Sequence, residues 1–226
     1  MVEFLVGRRN ITMEPNQYLA DRFGNTRSPI MIPGTRWDVL PEIFRDLGYK
    51  VGAEIGVELG RYARCLVRKV PGLKLYGIDP WMTYEDQFNL HNPDKFYEKC
   101  VRDCAPYNIE LIRKTSADAV GDFEDNSLDF VYIDGNHNFE YVVEDIAKWN
   151  KKVKVGGIIS GHDYMFERRM GATAGYAVRV WTDIKYIEPW YVIGQYRKDG
   201  QIRENAGEGR PSWLFIKTEE RNEANL

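Results

Sequence analysis

Apolar and polar positions fall into blocks along this chain that predict strands and helices taking turns. Trp37, Leu40, Ile43, Phe44 and Leu47 lie at helical spacing between Thr35, which can cap a helix, and Gly48, which can end one. A short apolar run from Val51 then breaks into the glycine-spaced turn Glu54-Ile55-Gly56-Val57-Glu58-Leu59-Gly60, and Arg61 to Val67 reads as the helix after it. Leu73 to Asp79 gives the next strand, Asp94 to Ala105 a helix, Ile109 to Lys114 a strand, and Thr115 to Asp118 the start of a short helix. Leu128 to Asp134 is apolar almost throughout and closes on a carboxylate, the pattern of a strand buried on both faces of a parallel sheet. Phe139 to Trp149 carries Tyr141, Val142, Ile146 and Trp149 as a helical stripe, Val155 to Ser160 is a fifth strand, and Gly175 to about Ile187 is the last helix. Trp190 to Tyr196 and Ser212 to Lys217 read as an antiparallel closing pair.

This order predicts an α/β fold with a doubly wound, mostly parallel sheet and helices on both faces. Residues 1–35 are punctuated by Pro15, Gly24, Pro29, Pro33 and Gly34, so an irregular arm is expected that caps a pocket or joins a second copy into a homo-oligomer. Residues 36–217 form the expected domain, and 218–226 a polar tail.

Composition narrows the partners. A chain of 226 residues with 43% hydrophobic and 29% charged positions is an ordinary globular protein with room for a proper core. A net charge of −3 argues against a nucleic-acid surface, which needs a basic patch. No apolar run approaches the roughly 20 residues that span a bilayer, so no membrane partner is expected. Met1 to Arg9 is too short and too early acidic for a secretory signal, which makes the cytoplasm the expected location. Cys65, Cys100 and Cys104 form neither an even disulfide framework nor a zinc spacing and are expected to be reduced.

The chemistry gathers at strand ends, where open α/β sheets bind ligands. A strand, a glycine turn and a helix make a nucleotide-type pocket, and Asp79 at the end of the second strand can accept from both hydroxyls of a ribose. Val57 stands where a dinucleotide site needs its second glycine, and Glu58 beside it would repel a pyrophosphate. That acidic lip suits a ligand with a ribose, no phosphates and positive charge, as in S-adenosylmethionine; the bland alternative is an ordinary glycine turn with solvated glutamates. The aromatic connection Trp81 to Pro93 is expected to lie over the pocket, with Trp81 near the adenosine, and Ser116, Ala117 and Asp118 to face an adenine edge. Asp134-Gly135-Asn136-His137 ends the fourth strand and His162-Asp163 the fifth, so two of the three histidines stand at strand ends. Taken singly, Asn136 or Asn138 is a helix cap that His137 merely follows; four polar strand ends together favour a pocket.

Glu54 to Gly60, Gly77-Ile78-Asp79, Tyr132-Ile133-Asp134-Gly135-Asn136-His137 and Gly156-Gly157-Ile158-Ile159-Ser160-Gly161-His162-Asp163-Tyr164 resemble the class I S-adenosylmethionine-dependent methyltransferases. Within that class they are similar to metal-dependent small-molecule O-methyltransferases of the macrolide-sugar type. The resemblance implies a Rossmann-like sheet of seven strands with the last antiparallel. It also implies Glu54 and Gly56 near the methionine moiety, Asp79 on the ribose, and a divalent metal, magnesium or manganese, on Asp134 and Asp163. His137 is then the general base, and the acceptor a sugar or other small metabolite bearing a hydroxyl. Relatives carry a carboxylate or amide where His162 stands. His162 is therefore open to being a metal ligand, a group behind the ligands, a second base or a structural histidine, and a metal-free site with Asp134 orienting His137 is open as well. A NAD-dependent oxidoreductase and a binding module without turnover are the competing readings.

Overall fold

A computed structural model describes residues 14–82, 92–166, 173–196, 202–203 and 210–219. In chain order the elements are α1 (Pro15–Phe23), β1 (Ile30–Ile32), α2 (Arg36–Asp46), β2 (Val51–Ile55), α3 (Arg61–Lys69), β3 (Lys74–Ile78), α4 (Pro93–Cys104), β4 (Ile109–Ile112) and α5 (Ser116–Ala119). They continue with β5 (Leu128–Ile133), α6 (Phe139–Lys152), β6 (Val153–Gly161), α7 (Ala174–Ile184), β7 (Trp190–Ile193), β8 (Gln195–Tyr196), β9 (Ile202–Arg203) and β10 (Ser212–Ile216).

The main sheet has eight strands in the order β1-β7-β10-β6-β5-β2-β3-β4, while β8 and β9 pair separately. β10 is antiparallel to both neighbours, β6 and β7, and the other strand pairs of the main sheet are parallel among the described residues. The expected antiparallel closing strand is therefore present, inserted between β6 and β7. The expected strand count falls one short. Ile30-Met31-Ile32 pairs in parallel with Tyr191 to Ile193 at the sheet edge, inside the segment expected to be irregular, and α1 precedes it. A three-residue strand between two prolines carries almost no local signal; its backbone partners on β7 define it.

Both faces of the sheet are covered. On β5, Phe130 and Tyr132 enter one core cluster with Phe44, Leu66 and Leu214, whereas Val131 and Ile133 enter the other with Trp149, Val178 and Phe215. This is the period-two alternation of a strand packed on two sides, and it explains why the strand reads as continuously apolar. Phe44 and Phe130 stack with ring centres 3.9 Å apart, fixing α2 against the sheet. Pro41 lies inside α2 and cannot donate to the carbonyl of Trp37. Lys69 Nζ supplies that bond at 2.8 Å, which ties α2 to the end of α3. Among the described residues no helix is long and apolar enough to cross a membrane.

Candidate active site

The ends of β2, β3, β5 and β6 converge at the carboxyl edge of the sheet. Gly56 turns the chain out of β2 with φ +87°, and its open Cα face lies against the backbone of Asp134 and Gly135, so a side chain there would push the two strand ends apart. Its N–H donates to the carbonyl of Ile78 at 2.8 Å. Asp79 then holds the rest of the loop. Oδ2 accepts from the Val57 and Glu58 N–H groups at 3.0 and 2.9 Å, and Oδ1 accepts from the Trp81 N–H at 2.7 Å. Burial pushes the Asp79 carboxyl up, and these three backbone donors work against that rise.

Trp81 is 1% exposed. Its indole N–H donates to the carbonyl of Glu58 at 2.8 Å and its ring packs on Tyr97, so the side chain is a strut behind the glycine loop. The bend at φ +43° folds Trp81 back on this loop. Residues 83–91, which the sequence places over the pocket, lie outside the described residues. Ser116 is also committed: its hydroxyl donates to Asp145 and accepts from the Trp149 indole N–H at 2.8 Å, while Ala117 is exposed at the edge beyond it.

Glu54 is buried within β2 with Oε2 unpartnered among the described residues. Burial and the neighbouring charge of Asp134 raise its carboxyl well above the ordinary range. An orphaned carboxyl oxygen beside a loop of this kind fits a cationic ligand, which would both pair with it and favour its charged form.

Beyond Glu54 the site is a chain of ion pairs. Arg36 Nη1 lies 2.5 Å from Asp134 Oδ2 and donates to the Tyr132 hydroxyl at 3.0 Å. Asp134 Oδ1 and Asp163 Oδ1 stand 3.5 and 3.3 Å from His162 Nδ1. Asp163 Oδ2 meets His137 Nε2 at 2.9 Å and Arg210 Nη1 at 2.8 Å. Burial opposes charge on both aspartates, yet the histidines and Arg36 hold Asp134 below its ordinary value, and His137 and His162 hold Asp163 well below it. Burial likewise opposes charge on His162, but Asp134 and Asp163 raise it to about 9.

The sequence brought Asp134, His137, His162 and Asp163 to one place, and the structure brings them together. It changes their pairing: Asp163, not Asp134, orients His137. It also adds two arginines that the motifs leave out. Arg36 occupies a position of the apolar stripe of α2, in register with Val39, Leu40 and Ile43, and a charge on the core stripe of a helix was the available signal. Arg210 follows residues 204–209 and has no such pattern around it.

This donor set does not fit a divalent metal. Two carboxylates already face two guanidinium groups, so a dication would meet no net negative charge. Among the described residues no group of three or more candidate ligands takes up a metal-holding arrangement. On that ground Asp134, His162 and Asp163 do not fit the divalent metal expected of them: Asp134 already has its two oxygens beside Arg36 and His162.

Residues 53–164 match a family described as "Methyltransferase domain". Solved structures share the fold. Cofactor-bound Rv0187 from MTB aligns over 95% of this chain and 93% of its own with a TM-score of 0.58 and 14% identity. The O-methyltransferase TomG from Streptomyces achromogenes, in complex with SAM and described as involved in tomaymycin synthesis, covers 80% of this chain and 79% of its own with a TM-score of 0.58 and 14% identity. An O-methyltransferase from Bacillus cereus in complex with SAH covers 95% of this chain and 94% of its own with a TM-score of 0.57 and 16% identity. A curated relative, "Uncharacterized protein y4gI" of Sinorhizobium fredii (strain NBRC 101917 / NGR234), is 30% identical over 143 residues, or 60% of this chain. The chain spans about 15% of that relative's length.

The methyltransferase-domain match takes in just under half of the chain, and the solved structures share its Rossmann-like α/β fold. The seven-stranded core of the expectation gains its eighth strand from the N-terminal segment.

Proposed function

We propose that this chain binds S-adenosylmethionine at the loop Glu54 to Gly60, with Asp79 behind it, and methylates a hydroxyl of a small acceptor using His137 as general base. The observation that carries the reading is the pair His137 Nε2 to Asp163 Oδ2 at 2.9 Å. With Nε2–H donating to the carboxylate, Nδ1 keeps its lone pair and has no hydrogen bond among the described residues, which is the state a base needs. His137 is part-exposed while Asp163 is 1% exposed, so the orienting group is dry and the base reaches solvent.

When bound, the cofactor supplies a sulfonium-activated methyl group. The chain supplies the rest. His137 Nδ1 takes the acceptor's hydroxyl proton as the oxygen attacks, and Asp163 stabilises the imidazolium that results, as an aspartate does in a nucleophile–histidine–aspartate relay. Asp134, held by Arg36 and His162, fixes the wall of the same cleft; Glu54 offers its orphan oxygen to positive charge on the cofactor. Asp79, whose oxygens already hold three of their roughly four possible donors, keeps one acceptor site for a ribose hydroxyl. Oxygen as the acceptor atom is supported by neighbours described as O-methyltransferases; a sugar or glycosylated acceptor rests on the motif resemblance alone. A nicotinamide cofactor is disfavoured by the exposed Glu58 where a pyrophosphate would pass.

Calorimetry with S-adenosylhomocysteine and turnover on a panel of hydroxyl acceptors test the proposal. His137→Ala is expected to keep cofactor affinity and lower turnover by about 10²- to 10⁴-fold. Binding with no methyl transfer to any acceptor would favour a module without turnover, and the absence of binding would overturn the reading.

A further inference from the structure

The glycine loop rests on two thiols. Cys100 and Cys104, four residues apart on α4, place their sulfur atoms 3.8 Å apart, and both are buried. Gly60 ends the loop with φ +66° directly against them: a methyl group there would stand 2.5 Å from Cys104 Sγ and 3.0 Å from Cys100 Sγ. The absence of a side chain at residue 60 is thus what lets the thiol pair touch the backbone that starts α3. A second link runs beside it, Arg64 of α3 to Asp103 of α4 at 3.0 Å.

We propose that Cys100 and Cys104 are an oxidation site, closed to a disulfide by a hydroperoxide, whose state controls cofactor binding at the loop above it. The inference rests on reading that loop as the cofactor site. In the first step the Cys104 thiolate attacks one peroxide oxygen and releases water after proton transfer, leaving a sulfenic acid. In the second, Cys100 sulfur attacks the Cys104 sulfur and expels the second water. The sum is two thiols and one hydrogen peroxide giving one disulfide and two waters. Cys104 is the reactive partner because the contact with Cys100 and the Arg64 guanidinium hold its thiol below the ordinary value against the effect of burial.

The helix makes the bond consequential. Side chains four apart on an intact helix keep their Cβ atoms about 5–6 Å apart, whereas a disulfide needs about 3.8 Å. Closing it therefore unwinds the last turn of α4, and Cys104 is that helix's final residue. The same movement withdraws Cys104 from Gly60 and pulls Asp103 from Arg64, so the loop and the start of α3 lose their support together. Cys65 lies apart, with its sulfur 3.6 Å from the Trp37 carbonyl, and serves as an internal control.

The test treats the full reduced chain with hydrogen peroxide and follows intact mass, free thiols and S-adenosylhomocysteine affinity. The expected result is a loss of about 2 Da with two thiols consumed, affinity weakened about tenfold or more, and recovery with dithiothreitol. Cys100→Ser and Cys104→Ser, made separately so that poor folding of one leaves the other, should keep their affinity under peroxide, while Cys65→Ser should respond like the parent. Unchanged thiols under peroxide, or a disulfide formed with affinity intact, would overturn the proposal. A reduced chain that binds no S-adenosylhomocysteine would sink the cofactor reading, and the mass change would still decide whether the thiols are an oxidation site.

Discussion

Arg36 Nη1 sits 2.5 Å from Asp134 Oδ2, joining the first residue of α2 to the end of β5. The guanidinium is packed among the rings of Trp37, Tyr62 and Tyr132, with its carbon 5.1, 5.0 and 5.8 Å from their centres. Cation–π attraction offsets part of the desolvation of the buried charge, and the bond to Asp134 uses what remains. The matched domain begins at residue 53, so this cation reaches the site from outside it.

Removing that cation should be costly. Arg36→Met leaves the part-buried Asp134 beside Glu54 with one fewer partner and is expected to destabilise the fold by about 3 kcal/mol or less. Urea unfolding measures it. Arg36→Lys keeps the charge without the planar fork, and should recover only part of the loss.

Asp163→Asn tests the orientation of His137. The amide keeps a group at Oδ2 but removes the charge that stabilises the imidazolium, so turnover is expected to fall by about 10²-fold or more with cofactor affinity little changed. Equal loss of affinity and turnover would mean that Asp163 acts on the fold alone.

The charge balance of the site predicts indifference to divalent metals. A chelator should leave turnover unchanged, and added magnesium or manganese should leave the melting temperature where it was. A rise in melting temperature with either ion would show that the ion competes successfully with Arg36, His162 and Arg210 for the carboxylates.

His162 should give stability a pH dependence on the alkaline side. Its pKa is raised from 6.5 to about 9, so the folded state holds the proton more tightly than the unfolded chain. The contribution is fully present below pH 6.5 and is lost as pH rises through about 9, on the order of 3 kcal/mol in all. Unfolding free energies across that range should show the decline in the parent protein and a flat profile in His162→Gln.

Asp145 acts in a lower window. Burial raises its carboxyl from 3.8 to about 6, with the Ser116 hydroxyl bond opposing that rise. The native state then binds more protons than the unfolded chain between these values, so stability declines as pH rises from about 4 to about 6. Asp145→Asn keeps an acceptor for Ser116 and should remove that slope.

Much of this architecture is legible along the chain because its signals are local. The stripe of α2, the doubly apolar β5 and the glycine turn after β2 each follow from a period or a backbone constraint within a few residues. The clustering of Asp134, His137, His162 and Asp163 follows too, because consecutive strands of a parallel sheet deliver their ends to one edge.

The order of residues along the chain dictates the class of fold and the sheet edge at which its polar strand ends gather. The tertiary structure alone decided how the side chains there pair. Asp163 takes His137, Asp134 takes Arg36, Trp81 turns behind the loop, and Ile30 to Ile32 becomes an edge strand. These are contacts between residues far apart in the chain, fixed by burial and by the need of each buried charge or backbone donor for a partner. No local pattern records which partner that will be.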